Sequence, residues 1–126
     1  MKLLLVIATL LFSSYVIACG NRSVPIKLEV KRGYSGQIYI SFKAPLNYEE
    51  FYLLGAQYNN GENMIPMYKG YQEDDRHAYY EVNGEDDFFK DAEITISYAV
   101  KGTLCFHSEK YIWEQILKAC KNCKKA

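Results

Sequence analysis

Hydrophobic and polar residues alternate along most of this chain, which is the pattern of a strand with one buried and one exposed face. Six runs predict strands: residues 26–31, 37–43, 50–58, 77–82, 94–101 and 103–107. The run at 50–58 has apolar residues at both odd and even positions, so both faces of the strand would be buried, as in a central strand. Glycine, asparagine and proline residues separate the runs. Short strands without intervening helices predict an all-β fold, specifically a β-sandwich.

One segment near the C-terminus has a helical pattern instead. In YIWEQILKACKN, apolar side chains recur at spacings of three and four: Ile112, Trp113, Ile116, Leu117 and Cys120. This spacing predicts a short amphipathic helix that packs against the sandwich. The first residues of the segment, Tyr111 to Trp113, fit a strand equally well, so the start of the helix stays open.

The N-terminus has the pattern of a secretory signal. Lys2 precedes an apolar run, and small residues follow it up to Ala18. The run is shorter than a membrane span, and no other segment approaches the roughly 20 apolar residues that a span needs. We therefore expect a secreted, extracellular protein without a stable membrane anchor. Residues 1–18 would be the signal peptide, and residues 19–126 a single domain with a basic C-terminal tail.

The four cysteines, Cys19, Cys105, Cys120 and Cys123, form an even set, which in an exported chain predicts two disulfides. The alternative is a lipid anchor on Cys19, as in bacterial lipoproteins, which would leave an odd number of cysteines in an oxidising compartment. Two cysteines three residues apart on a helix are poorly aimed at each other. We therefore predict that Cys105 bonds one tail cysteine and Cys19 the other. The Asn21-Arg22-Ser23 sequon predicts glycosylation of Asn21.

Charge and motif content exclude several classes of function. The chain has 15 basic and 15 acidic residues, and this balance argues against nucleic-acid binding. The two histidines, His77 and His107, have no metal-ligand spacing, and no nucleophile motif occurs. We therefore predict no enzymatic activity, no catalytic residue, no metal site and no cofactor.

An excess of tyrosine points to carbohydrate, because aromatic rings stack on sugar faces while neighbouring polar groups bind hydroxyls. There are 12 tyrosines. The predicted carbohydrate-binding residues share one segment: Tyr68, Tyr71, Asp75, Arg76, His77 and Tyr79. Tyrosine is also a good strand residue without any ligand. For the three tyrosines of the set, the two interpretations stand about equally.

Two stretches carry a family resemblance. QIYISFKAPLNYEEFYLLGAQYN resembles the N-terminal glucan-binding domain of insect β-1,3-glucan recognition proteins, also called Gram-negative-bacteria-binding proteins, through Ile40-Ser41-Phe42, Phe51 and Gly55. DAEITISYAVKGTLCFHSEKYIW resembles the last paired strands of that family. The matching positions there are Asp91, Ile94, Tyr98, Val100, Leu104, Phe106 and Trp113. Two positions depart from the family: Ala44 stands where members usually have an acidic residue, and the Arg-Trp pair is met only approximately, by Arg76 with Tyr79 or Tyr80.

The resemblance, which spans roughly residues 25–113, implies an immunoglobulin-like β-sandwich. It also implies a secreted innate-immune pattern-recognition module, in a short stand-alone form. Its ligand would be a microbial cell-wall polysaccharide, β-1,3-glucan-like or another glycan, bound without catalysis, and immune-cascade proteins are a candidate class of partner. The alternative function is a secreted antimicrobial effector that acts on microbial membranes through its basic C-terminal segment: Lys118, Lys121, Lys124 and Lys125.

Overall fold

The structure is a computed structural model that describes residues 23–67 and 75–123. The predicted signal peptide, Cys19, Asn21, Tyr68, Tyr71 and the last three residues lie outside the described residues. Within the described ranges, the elements are β1 (Lys27–Arg32), β2 (Ile38–Pro45), β3 (Asn47–Tyr48), β4 (Phe51–Asn59), β5 (Met64–Met67), β6 (His77–Gly84), α1 (Asp86–Phe89), β7 (Glu93–Val100), β8 (Phe106–Ile112) and α2 (Trp113–Ala119).

The strands form two antiparallel sheets. The small sheet has the order β1-β2-β6, and the large sheet has the order β3-β4-β7-β8 with β5 also paired to β4. The all-β fold and the short C-terminal helix are therefore confirmed. No helix in the described part of the chain is long and apolar enough to cross a membrane.

The two sheets share one core, built from the apolar parity of each alternating run. Ile38, Ile40 and Phe42 of β2 are fully buried, while the residues between them are not. Across the core, the ring of Phe42 lies 4.9 Å from that of Tyr111 on β8. Burying an isoleucine or phenylalanine side chain stabilises the fold by roughly 1.5–3 kcal/mol. The alternation in the sequence therefore supplies most of the driving force for pairing the sheets.

The last strand and the helix differ from the sequence predictions. Strand β8 begins at Phe106 and includes Ile112, and α2 begins at Trp113, so the first residues of the predicted helix are strand. The strand predicted at 103–107 starts too early, because Gly102, with φ of 75°, lies in the turn after β7. The backbone N–H of Val100 donates to the carbonyl of Cys105 at 3.0 Å and closes this turn.

The predicted disulfide pairing of the tail is wrong. Cys120 bonds Cys123, with a Cα–Cα distance of 5.5 Å. Helix α2 ends at Ala119, and Cys120 has an extended backbone (φ −79°, ψ 120°). The two cysteines are therefore not on a helical turn, and the objection from helix geometry does not apply. Cys105 also takes part in a disulfide bond. The predicted role of Cys19 falls outside the described residues.

Candidate functional site

The solvent side of the small sheet carries a regular array of polar and aromatic side chains, which we call the outer face. Each of its three strands contributes alternate residues, because side chains point to opposite sides of a sheet in turn. The members are Lys27, Glu29, Lys31, Tyr39, Ser41, Lys43, Tyr79, Glu81 and Asn83. The apolar residues between them face the core, so the fold itself fixes which side chains are outside.

Strand register arranges the outer face in three rows that cross the sheet. The first row consists of Lys27, Lys43 and Tyr79. The middle row consists of Glu29, Ser41 and Glu81. The third row consists of Lys31, Tyr39 and Asn83. Cations and rings thus occupy both ends of the face, and the carboxylates lie between them.

The segment after α2 extends the third row. Cys120 forms a parallel bridge with Val30 at the open edge of β1. The side-chain oxygen of Asn122 accepts from the backbone N–H of Arg32 at 2.9 Å, and its Nδ2 donates to the carbonyl of Arg32 at 3.0 Å. These contacts cover the edge of the sheet and bring Lys121 next to Lys31, since each follows a bridge partner.

Two depressions cover the outer face. One, of about 970 Å³, is lined by residues of all three strands and by Lys121 and Asn122. The other, of about 370 Å³, lies around the first row and includes Lys43 and Tyr79. Both are lined by the side chains of Lys27, Glu29, Ser41 and Glu81, so they are continuous. The result is an extended surface rather than a closed pocket for one small molecule.

Each of the two tyrosine rings of the outer face lies close to another residue. The ring of Tyr39 lies over Gly33 so closely that a Cβ there would be 2.6 Å from its Cε2. Only glycine leaves room for this ring position. At the other end of the face, the Nζ of Lys43 lies 5.7 Å from the centre of the Tyr79 ring, within the range of a cation–π interaction. Each ring therefore has a defined neighbour, Gly33 for Tyr39 and Lys43 for Tyr79.

The predicted sugar-binding residues are only partly brought together here. Tyr79 belongs to the first row, and His77 lies one same-face position beyond it on β6. Asp75 and Arg76 precede this strand and are exposed, and the carbonyl of Arg76 accepts from the N–H of Leu46 at 2.8 Å. Tyr68 and Tyr71, also predicted, lie outside the described residues.

Sequence reasoning missed most of the outer face. It included Tyr79 in the binding set but selected no residue of β1 or β2. The signal was present, since the polar members of the alternating runs at 26–31 and 37–43 are the residues of this face. What the sequence could not supply was the register that places Lys27 opposite Lys43 and the tail beside β1.

Other ionisable groups lie on the inner side and have structural partners. The Nε2 of His107 is 2.8 Å from a carboxylate oxygen of Glu109, which also accepts from the backbone N–H of Val24 at 2.8 Å. Burial, helped by the Glu109 charge, raises the pKa of Tyr111 to about 12. Burial also raises the pKa of Tyr98. In residues 23–67 and 75–123, no three His, Cys, Asp or Glu side chains are grouped as metal ligands would be.

Comparisons with protein-family models, with curated proteins and with solved structures give no significant match to this chain. The resemblance to the glucan recognition proteins therefore stays a prediction that depends on the two quoted stretches. The function has to be argued from the outer face itself.

Proposed function

We propose that the fold is an immunoglobulin-like sandwich. In that fold, strands A, B and E share one sheet, and strands C, F and G lie side by side in the other. The order β1-β2-β6 corresponds to A-B-E, and β4-β7-β8 corresponds to C-F-G, with β5 beside β4 as strand C′. This correspondence supports the proposal. It also puts the outer face on the A-B-E side of the sandwich.

We propose that the protein is a secreted module that binds microbial polysaccharide on the outer face and does not cleave it. The observation that carries the proposal is an extended, open three-row surface with a tyrosine ring at each end and hydrogen-bonding groups between. The rings are four residues apart along the strand direction on neighbouring strands, so they are about 14 Å apart at roughly 3.3 Å per residue and 4.8 Å between strands. A surface of that length fits a chain of sugars better than a single one.

The side chains of the outer face would make two kinds of contact with a sugar: stacking and hydrogen bonding. Tyrosine rings offer apolar area to a sugar face together with a hydroxyl at the rim. Ser41, Asn83 and the Glu29 carboxylate offer donors and acceptors for sugar hydroxyls, and each such group must be satisfied when water leaves. No bond of the ligand needs to break for this surface to act, so recognition alone is proposed.

The test is a binding titration with laminarin, a soluble β-1,3-glucan, together with a pull-down on insoluble glucan. Tyr39→Ala and Tyr79→Ala should each weaken binding at least about fivefold, since truncating an aromatic anchor commonly costs more than about 1 kcal/mol. Tyr52→Ala is the matched control, because Tyr52 is a strand residue of the large sheet with 39% exposure against 36% for Tyr39. Equal loss in all three variants, or no loss in the first two, would reject this site.

The membrane-effector alternative makes a different prediction. It needs the lysines of the C-terminal segment and not the tyrosines. Truncating the chain before α2 is a poor test, because the buried Ile116 and the Cys120–Cys123 bond stabilise the fold. Lys124→Gln/Lys125→Gln is the better variant. If it abolishes binding to anionic vesicles while the tyrosine variants bind them normally, and no glucan binds, the alternative replaces the proposal.

A further inference from the structure

The outer face brings like charges together at both of its ends. Lys27 lies directly opposite Lys43 on the neighbouring strand. At the other end, Lys121 follows the residue that bridges β1 and so lies beside Lys31. Like charges in adjacent positions of a sheet are destabilising. A negative group that lies between two such lysines offsets this repulsion.

The lysines of the third row have no carboxylate to offset this repulsion. In the described part of the chain, neither Lys31 nor Lys121 forms an ion pair, whereas Lys27 has Glu29 at 3.2 Å. Both unpaired lysines line the larger depression. An anionic group bound between them would interact favourably with both charges at once.

A tyrosine accompanies each lysine pair. Tyr79 is the register neighbour of Lys43, and Tyr39 is the register neighbour of Lys31. The two ends of the face therefore offer the same chemistry, a ring next to two ammonium groups. The middle row offers the opposite charge, from Glu29 and Glu81. Along the strands the sign of the surface alternates from positive to negative to positive.

We infer that the ligand of the outer face is an acidic polysaccharide whose charged groups are spaced along the chain, an inference that rests on the proposed function. Rows one and three are four residues apart, or about 13 Å at roughly 3.3 Å per residue. A carboxylate, sulfate or phosphate group binds at each lysine pair. The sugar rings stack on Tyr39 and Tyr79, and uncharged hydroxyls donate to Glu29 and Glu81.

This arrangement discriminates against two other polymers. A neutral glucan leaves the pair Lys31 and Lys121 without a counter-charge, so it binds more weakly. A continuous polyanion places charges against the glutamates of the middle row. Nucleic acid is the extreme case, since each strand of a duplex carries a charge about every 3.4 Å. Sparse charge, rather than maximal charge, is therefore the predicted optimum.

The experiment uses one glycan backbone at three charge densities: laminarin, sparsely carboxymethylated laminarin and fully carboxymethylated laminarin. We expect the sparse derivative to bind the purified oxidised protein at least tenfold more tightly than laminarin, and the full derivative to bind no more tightly than the sparse one. The preference should shrink as salt rises from about 50 to 500 mM, because screening weakens exposed charge pairs.

Two double variants locate the effect. Lys27→Gln/Lys43→Gln and Lys31→Gln/Lys121→Gln should each remove most of the preference for the sparse derivative, keep the weak binding of laminarin, and keep or raise Tm. Lys101→Gln/Lys110→Gln removes the same charge elsewhere and should leave the preference intact. Equal loss in all three double variants, or affinity that rises steadily with charge density, would show unspecific attraction and overturn the inference.

The remaining outcomes separate the inference from the proposed function. If laminarin and its derivatives bind equally well and depend on the two tyrosines, the inference is wrong and polysaccharide recognition stands. If no glycan binds, both fail. If vesicles with anionic lipid bind tightly, glycans do not, and the lysine variants abolish vesicle binding, the surface serves a membrane and the inference also fails.

Discussion

The two sides of the small sheet use the same residue types for opposite purposes. Tyr79 and Tyr80 are neighbours in the chain, yet Tyr79 belongs to the outer face and Tyr80 is 1% exposed in the core. On β1, Arg32 lies on the core parity with Val30, whereas Lys31 lies on the outer face. The inner side decides whether the domain folds, and the outer side decides what the surface presents. Strand parity, rather than residue type, assigns the role of each side chain.

The sharpest test of this comparison is alanine substitution at the adjacent tyrosines. Tyr80→Ala should lower the free energy of unfolding by about 3–5 kcal/mol, because it leaves a cavity beside Phe42 in the core. Tyr79→Ala should lower it by only about 0.5–1 kcal/mol, the value of its contact with Lys43. Urea unfolding followed by circular dichroism measures both. Similar losses in the two variants would show that the two sides are not independent.

Most of this two-sided arrangement could be predicted from the sequence. Alternation of apolar and polar residues with a period of two identifies which residues share a face of the sheet. The strands at 26–31, 37–43 and 94–101 are present within a residue or two. The short elements could not be predicted in this way. Strand β3 has two residues, and α1 is a single turn in which Phe89 is buried, so neither is long enough to show a period.

The candidate site was less predictable than the fold for a physical reason. Its composition depends on strand register and on where the tail docks, and both are long-range properties. The choice of residues 68–79 followed local composition and included one member of the outer face, Tyr79. The lysine pairs arise only when β1 lies beside β2 and when Cys120 lies beside Val30.

The segment after α2 links folding to binding, so it tests whether the two sides of the small sheet are independent. It lines the outer face with Lys121 and is also attached to the edge of β1 through Cys120. Replacing both members of the Cys120–Cys123 disulfide by alanine should lower the free energy of unfolding by about 2 kcal/mol, the entropic value for a very short loop. Binding of acidic glycan should fall with it, since Lys121 loses its fixed position. Chemical denaturation and the glycan titration measure the two effects.

Asn122→Ala is the companion variant for that test. It removes two hydrogen bonds with the backbone of Arg32 but leaves the disulfide intact, so it should cost about 1 kcal/mol. If the double alanine variant is as stable as the unmodified protein, the disulfide does not constrain this edge. If it is destabilised but binds acidic glycan normally, Lys121 does not belong to the site.

The smallest expected effect concerns two ion pairs on β1, one at each side of the sheet. On the core parity, the guanidinium of Arg32 donates to both carboxylate oxygens of Asp86, at 2.9 and 3.2 Å. This pairing lowers the pKa of Asp86 below its usual range. A lowered pKa means that the pair stabilises the fold above the unfolded-state pKa of about 3.8, and that this contribution disappears as pH falls through the folded-state value.

The prediction is therefore a pH-dependent difference in Tm between the unmodified protein and Asp86→Asn. The difference should be largest from pH 5 to 7, smaller there than the effect of the disulfide, and should vanish once the pH is below the lowered pKa of Asp86 in the folded state. Glu29→Gln removes the partner of Lys27 on the outer face, where both side chains are mostly exposed, and should leave Tm unchanged at every pH. A Tm difference for Asp86→Asn that persists unchanged at low pH would mean that the substitution acts through something other than the charge of Asp86. A pH-dependent effect of Glu29→Gln would mean that charges on the outer face also stabilise the fold, against the comparison between the two sides.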